Sequence, residues 1–173
     1  MIPIRANQLA ALEWRQDSAF SRTFDLFSGD SVLAHLEWMK ILGTLAAAET
    51  AGARWTFKRT GFLTSVITAR VAGTETDIAT YEPNFLGNKG RLRSGGQTLE
   101  LKGANFWATQ WVLLEGETLL LEFKSHGVFK TGAAVTVAEA ARERPDLPLL
   151  ICFVWYILLL HMQDSSNAAI ISS

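Results

Sequence analysis

Residues 147–163, LPLLICFVWYILLLHMQ, contain twelve consecutive apolar residues at positions 149–160. A helix that is apolar on every side must be buried on every side. The run is shorter than the ~20 apolar residues of a membrane span and fits the ~10–14 of a buried core helix. Pro148 suits a first helical turn, and the side chain of Asp146 is placed to cap the free amides. The sequence therefore predicts a core helix over 147–163.

Upstream of this helix, turn signals recur about every 8–12 residues between segments of alternating hydrophobicity, as in barrels and sandwiches built from hairpins. Turns such as Ser28-Gly29-Asp30 and Ser94-Gly95-Gly96 separate these segments. The pattern predicts twelve strands, near 11–16, 20–27, 31–38, 43–50, 53–59, 62–71, 75–82, 90–93, 97–102, 105–113, 117–124 and 128–137.

Alternation within the strands predicts which side chains face inward. Trp55 and Phe57 alternate with Arg54, Thr56 and Lys58. The same rule groups Val32 with Ala34, Leu36 and Trp38, and groups Leu119 with Leu121 and Phe123. One face of each strand is thus expected to be buried and the other wet.

A lumen enclosed by twelve strands is wider than side chains can fill, since ~8 strands is the size at which they just fill it. A helix ~10 Å across would fill the remaining space. We therefore predict a mainly β protein: one domain over residues 1–173, a closed antiparallel barrel of about twelve strands around a central hydrophobic C-terminal helix.

Charge and cysteine content narrow the classes of partner. The net charge is −1, from 16 basic and 17 acidic residues. The sequence has no strongly basic region of the kind that nucleic-acid-binding proteins carry. The single cysteine, Cys152, lies in the apolar run, so no disulfide partner is expected and a reducing compartment fits best. The N-terminal residues MIPIRANQLA lack the pattern of a secretory signal.

Twelve strands followed by a wholly hydrophobic C-terminal helix, introduced by Leu147-Pro148-Leu149-Leu150, resemble the tubby C-terminal-like superfamily. That superfamily includes the LURP-one-related proteins and the phospholipid scramblases. The segment GARWTFKRTGF at 52–62 and the apolar run at 149–160 are similar to small bacterial proteins of this type. The resemblance implies a bacterial protein that is a binding or scaffold module, and tubby domains bind phosphoinositides through basic strand residues.

The best candidate for a ligand site is the segment Lys89-Gly90-Arg91-Leu92-Arg93, with Lys102 on the next strand. In an extended chain Lys89, Arg91 and Arg93 point to one face within ~14 Å, beside a glycine-rich turn, which suits a phosphate group. The competing interpretation is a solvated strand face that guards an edge against pairing. The segment 87–90, GNKG, lacks the spacing of a phosphate loop and is predicted to be a hairpin connection.

Other candidates are weaker. His35, His126 and His161 show no metal-ligand spacing, and His161 is expected at the helix end, where a cation favours the dipole. We expect neither a metal site nor a cofactor. Trp107 and Trp111 are predicted to lie on one side of a strand, as core against the helix in preference to a stacking platform for a flat ligand.

Three functions remain open from the sequence. The first is a non-enzymatic tubby-like binding or scaffold module that recognises an anionic lipid or a phosphate-bearing ligand. The second is a tail-anchored membrane protein whose apolar helix inserts in lipid, and the third is an enzyme whose site is not visible in the sequence. For the first we expect a cytoplasmic protein, peripheral to a membrane where the ligand is a lipid.

Overall fold

The computed structural model describes the whole chain except residues 3, 5–8, 10, 41–42, 62–64, 106, 128–129 and 172–173. The described part forms twelve strands and one α-helix, preceded by a 3-10 turn at Glu139–Ala141. The strands are β1 (Leu12–Gln16), β2 (Thr23–Ser28), β3 (Ser31–Trp38), β4 (Ala46–Thr50), β5 (Arg54–Thr60), β6 (Val66–Val71), β7 (Asp77–Pro83), β8 (Lys89–Ser94), β9 (Gln97–Gly103), β10 (Gln110–Glu115), β11 (Thr118–His126) and β12 (Gly132–Val137), and the helix is α1 (Leu147–Ile171).

The strands form a closed antiparallel barrel in which each strand pairs with its neighbours in sequence. The first and last strands close the ring, with Leu12 opposite Val135 and Trp14 opposite Ala133. The predicted fold class is therefore confirmed. A ring of hairpins places successive connections at alternate ends of the barrel. We name the end where β12 leads into α1 the entry end, and the opposite end, where α1 leaves the lumen, the exit end.

The helix fills the lumen. Aromatic side chains from strands on different sides of the barrel contact it: Trp14 stacks on Trp155 with ring centroids 6.0 Å apart, and Phe57 lies 5.3 Å from Phe153. Every helix residue from Leu149 to Leu160 is buried. The apolar run is thus enclosed by protein on every side, as its uniform hydrophobicity predicts.

The helix continues beyond the predicted end at Gln163 to Ile171. Ser165 and Ser166 donate side-chain hydrogen bonds to the carbonyls of His161 and Met162, so these hydroxyls do not break the helix. Residues 163–168 are exposed because they lie past the rim. By length and composition Leu147–Ala168 could cross a membrane, although 72% of its most apolar window is buried within the barrel.

Polar side chains hold the helix at the entry end. The carboxylate of Asp146 does not have the capping role expected for it; it accepts hydrogen bonds from Ser94 Oγ (2.9 Å) and Arg144 Nε (3.0 Å). Arg144 also donates from Nη1 to Glu115 Oε2, at 3.2 Å, and from Nη2 to Gln97 Oε1. Because Ser94, Gln97 and Glu115 belong to β8, β9 and β10, this network ties the start of the helix to two hairpins.

Two bulges change which side chains face inward. Between β2 and β3, Leu26 pairs with Ala34 and the next residue, Phe27, pairs with Val32, so Leu33 is an extra residue in β3. Leu33 is buried, and the side chain of Val32 no longer faces the inside of the barrel. Leu120 is likewise the extra residue of β11 and is buried, while Leu119 is 38% exposed. The inward placement expected for Val32 and Leu119 is therefore wrong, whereas that of Trp55 and Phe57 is confirmed.

Candidate functional site

The four predicted basic residues lie together on the outer surface of the barrel. Along β8, Lys89, Arg91 and Arg93 are exposed, whereas Gly90, Leu92 and Ser94 are buried. Strand β9 pairs alongside and places Lys102 directly opposite Lys89. We call these four residues the basic patch. It is closest to the exit end at Lys89, the first residue of β8.

Acidic neighbours compensate part of this charge. Arg93 Nη1 lies 2.9 Å from Glu82 Oε1, and Lys102 Nζ lies 3.4 Å from Glu100 Oε1. In register, Arg91 stands between Glu82 on β7 and Glu100 on β9. Lys89 and Lys102 occupy directly opposite positions on adjacent strands, where like charges destabilise a sheet, and the ion pair with Glu100 compensates the charge of Lys102 in part. An anion bound between these two ammonium groups would relieve that repulsion.

A shallow depression of about 520 Å³ lies over this surface, lined in part by Glu82, Lys89, Arg91 and Glu100. Beneath it, Gly90 is packed against a buried aromatic ring: a Cβ at Gly90 would lie 2.4 Å from Cζ of Tyr81. Gly90, the second glycine of the GNKG segment, is thus required by close packing inside the barrel. Residues 87 and 88 lie in the β7–β8 hairpin connection, as predicted, whereas Lys89 and Gly90 already belong to β8.

A depression of about 780 Å³ lies at the exit end where the helix leaves the barrel. There the ring of His161 stacks on Trp111, with centroids 4.9 Å apart, and meets the edge of Tyr81 at 6.3 Å. Burial lowers the pKa of His161, with a smaller opposing effect from Asp164. Among the described residues, His161 Nε2 and Tyr81 Oη are buried without a hydrogen-bond partner. The helix continues past His161 to Ile171, so the expectation that His161 lies at the helix end, where a cation favours the dipole, is wrong.

The other two histidines pair with acids on other strands: Asp25 is on the strand adjacent to His35, whereas Glu13 on β1 is separated from His126 on β11 by β12. His35 Nδ1 lies 2.7 Å from Asp25 Oδ1, and His126 Nε2 lies 3.1 Å from Glu13 Oε1. Within the described ranges, no three His, Cys, Asp or Glu side chains come together as a metal site would require. Cys152 is fully buried in α1, and this burial raises the pKa of its thiol.

The two tryptophans that were expected together in the core separate. Trp111 is buried on β10 and donates its indole N–H to the carbonyl of Ala108 at 3.0 Å. Trp107 lies in the β9–β10 connection and is 78% exposed, so its predicted place in the core is wrong. Sequence reasoning therefore missed the depression at the exit end. A signal in the sequence could have revealed it: every second connection between strands, which is each connection at the exit end, contains large apolar residues.

Comparisons of this chain with protein-family models, with curated proteins and with solved structures found no match.

Proposed function

We propose that this protein is a non-enzymatic binding module of the tubby-like type, whose basic patch recognises a phosphate-bearing anionic group. The observation that carries the proposal is the Lys89–Lys102 pair, two lysines at directly opposite positions of β8 and β9 on the outer surface. Such an arrangement stabilises the free protein less than an oppositely charged pair would. Binding of an anion converts the repulsion into two favourable contacts.

Arg91 extends this site along β8. Unlike Arg93 and Lys102, it forms no ion pair within 4.0 Å among the described residues, although Glu82 and Glu100 flank it in register. A guanidinium group offers phosphate a planar fork of donors. Lys89, Lys102 and Arg91 are thus the side chains that we expect to contact the phosphate directly, with Arg93 contributing charge at the edge.

The same phosphate chemistry can come from a lipid headgroup or from a soluble ligand, and two assays distinguish them. Co-sedimentation with phosphatidylcholine vesicles, with and without phosphatidylserine, measures binding to the anionic surface. Calorimetric titration with inorganic phosphate measures binding of the free anion. Binding in the first assay alone identifies a lipid surface, and binding in the second identifies a soluble phosphate.

The variant that tests the patch carries Lys89→Gln, Arg91→Gln and Arg93→Gln. Each cation near an anionic surface contributes ~1 kcal/mol, so the triple change should weaken vesicle binding by about a hundredfold. Wild-type binding should also fall steeply with salt, because exposed charges are screened over ~10 Å at 0.1 M.

The matched control is Arg54→Gln, Arg70→Gln and Arg142→Gln, which removes the same charge from the half of the barrel near the entry end. We expect this control to bind vesicles almost as well as the wild-type protein. Equal loss in the two triple variants, or no binding by the wild-type protein in either assay, contradicts the proposal.

A further inference from the structure

The loops at the two ends of the barrel differ in the side chains that they expose. In the exit-end connections Phe20 and Phe85 are 98% and 101% exposed, Trp107 is 78% exposed and Leu86 is 74% exposed. At these positions most of each side chain is accessible to solvent. Met39, in another exit-end connection, is also exposed. The sequence places further apolar residues in these connections at 41, 42, 62, 63, 106, 128 and 129, which lie outside the described residues.

The entry-end connections show the opposite composition. Apart from Pro145, they contain no apolar residue larger than alanine. Among the described residues, the exposed apolar residues outside the connections are less exposed, at 38–51%: Met1 and Ile2 at the terminus, and Val71 and Leu119 at strand ends beside entry-end connections. The two sets of connections also differ in charge. The entry-end connections contain two basic and six acidic residues and are acidic overall, whereas the exit-end connections contain three basic residues and one acidic residue.

We propose that the exit end docks on a lipid bilayer, with Phe20, Phe85, Leu86 and Trp107 inserted between the lipids. The proposal shares with the proposed function the premise of a lipid partner, but it requires different residues from those of the basic patch. Phe and Trp are side chains that amphipathic surfaces commonly insert at the boundary between headgroups and acyl chains. The more basic end of the barrel would face the anionic lipids, and the acidic end would face away from them.

The shape of the exit end favours a fluid partner over a folded one. Its apolar side chains stand on separate loops around the emerging helix, with depressions of about 370–780 Å³ between and beside them. Lipid can deform to occupy these spaces, whereas a folded partner would need protrusions that match each of them. The basic patch continues this surface, because Lys89 immediately follows the connection that carries Phe85 and Leu86.

The test uses Trp107 as a reporter. Four of the other tryptophans, Trp14, Trp55, Trp111 and Trp155, are buried and Trp38 is half-buried, so brominated phosphatidylcholine should quench mainly Trp107. We expect quenching and a blue shift on addition of vesicles, and loss of both in Trp107→Phe. Phe20→Ser with Phe85→Ser should weaken vesicle binding by about tenfold for each side chain, with an unchanged melting temperature. The matched control, Val71→Ser with Leu119→Ser, should bind like the wild-type protein.

Three results would overturn the docking proposal: no quenching of wild-type Trp107, equal binding by the Phe20/Phe85 variant, or equal loss in the Val71/Leu119 control. Self-association of the wild-type protein that the Phe20/Phe85 variant abolishes would assign the surface to a second copy of the chain instead. Failure of the basic-patch proposal is distinguishable, because the triple Gln variant would then bind anionic vesicles normally while Trp107 quenching persisted.

Discussion

The two ends of this barrel are each built from six connections, but they treat the same helix differently. At the entry end, Arg144 and Asp146 have side chains only 13% and 18% exposed and bind residues of β8, β9 and β10. At the exit end, the corresponding ion pair joins Arg59 to Asp164, whose side chains are 28% and 52% exposed. The entry end fixes the helix, whereas the exit end leaves it among open depressions.

This difference bears on the two proposals made above. Connections without large apolar side chains and a dense polar network are typical of a region that only has to hold the fold together. Exposed aromatic side chains and unpartnered buried polar atoms are costly in a soluble protein, and they mark surfaces that interact. The entry end is therefore built to hold the helix, and the binding proposed above would use the exit end and the adjoining basic patch.

The largest expected effect concerns the helix between the two ends. Leu158→Lys would bury an ammonium group at a position that is 1% exposed, at a cost of several kcal/mol against a total stability of ~5–15. We expect the variant to lose its cooperative thermal melt. The matched control is Asn167→Lys, on the same helix beyond the rim, which should melt like the wild-type protein.

The same pair of variants tests whether the helix is a membrane anchor. A tail-anchored protein would keep a folded barrel after Leu158→Lys and would lose only its association with membranes. A normal melt of the soluble Leu158→Lys protein would therefore contradict the central position of the helix.

The strands and the central helix could be predicted because each has a simple period. An all-round apolar run identifies a helix with no wet face, and alternation identifies strands with one. Positions such as Trp55 and Phe57 follow that rule in the structure. The bulges at Leu33 and Leu120 do not, because one extra residue reverses the alternation without any change in composition.

Among the described residues, the largest errors at strand ends lie at the exit end, whereas those at the entry end are no more than two residues. The strands predicted near 20–27 and 105–113 begin at Thr23 and Gln110, because Phe20 and Trp107 prolong the apolar pattern into the connections. The predicted starts at 62 and 128 lie outside the described residues. Hairpins alternate between ends, so a comparison of odd with even connections would have revealed the apolar end from sequence. The stacking of His161 on Trp111 depends on the helix passing the rim, which no local pattern reveals.

A smaller effect should separate the two ends directly. Asp146→Ala removes the acceptor of Ser94 and Arg144 and leaves a mostly buried guanidinium group with fewer partners, at a cost of about 2 kcal/mol. Asp164→Ala removes a more exposed partner of Arg59 and should cost less than about 1 kcal/mol. Urea unfolding of both variants measures the difference in their free energies of unfolding. Equal losses of unfolding free energy would show that the exit-end pair stabilises the helix as much as the entry-end network does.

The smallest effect is a pH dependence that originates at the exit end. Burial against Trp111 and Tyr81 lowers the pKa of His161, and Arg59 lowers it further, while Asp164 opposes them. In the unfolded chain the pKa returns to about 6.5, so below that pH the unfolded state binds more protons than the folded state. The stabilisation is therefore complete above about pH 6.5 and is lost as the pH falls towards the lowered value.

His161→Phe keeps an aromatic ring beside Trp111 without a titrating group, and His35 and His126 remain in both proteins. Urea unfolding at pH 7.5 and at pH 5.5 should show a larger loss of stability on acidification in the wild-type protein than in His161→Phe; an equal loss would show that protonation of His161 is not resisted at this rim.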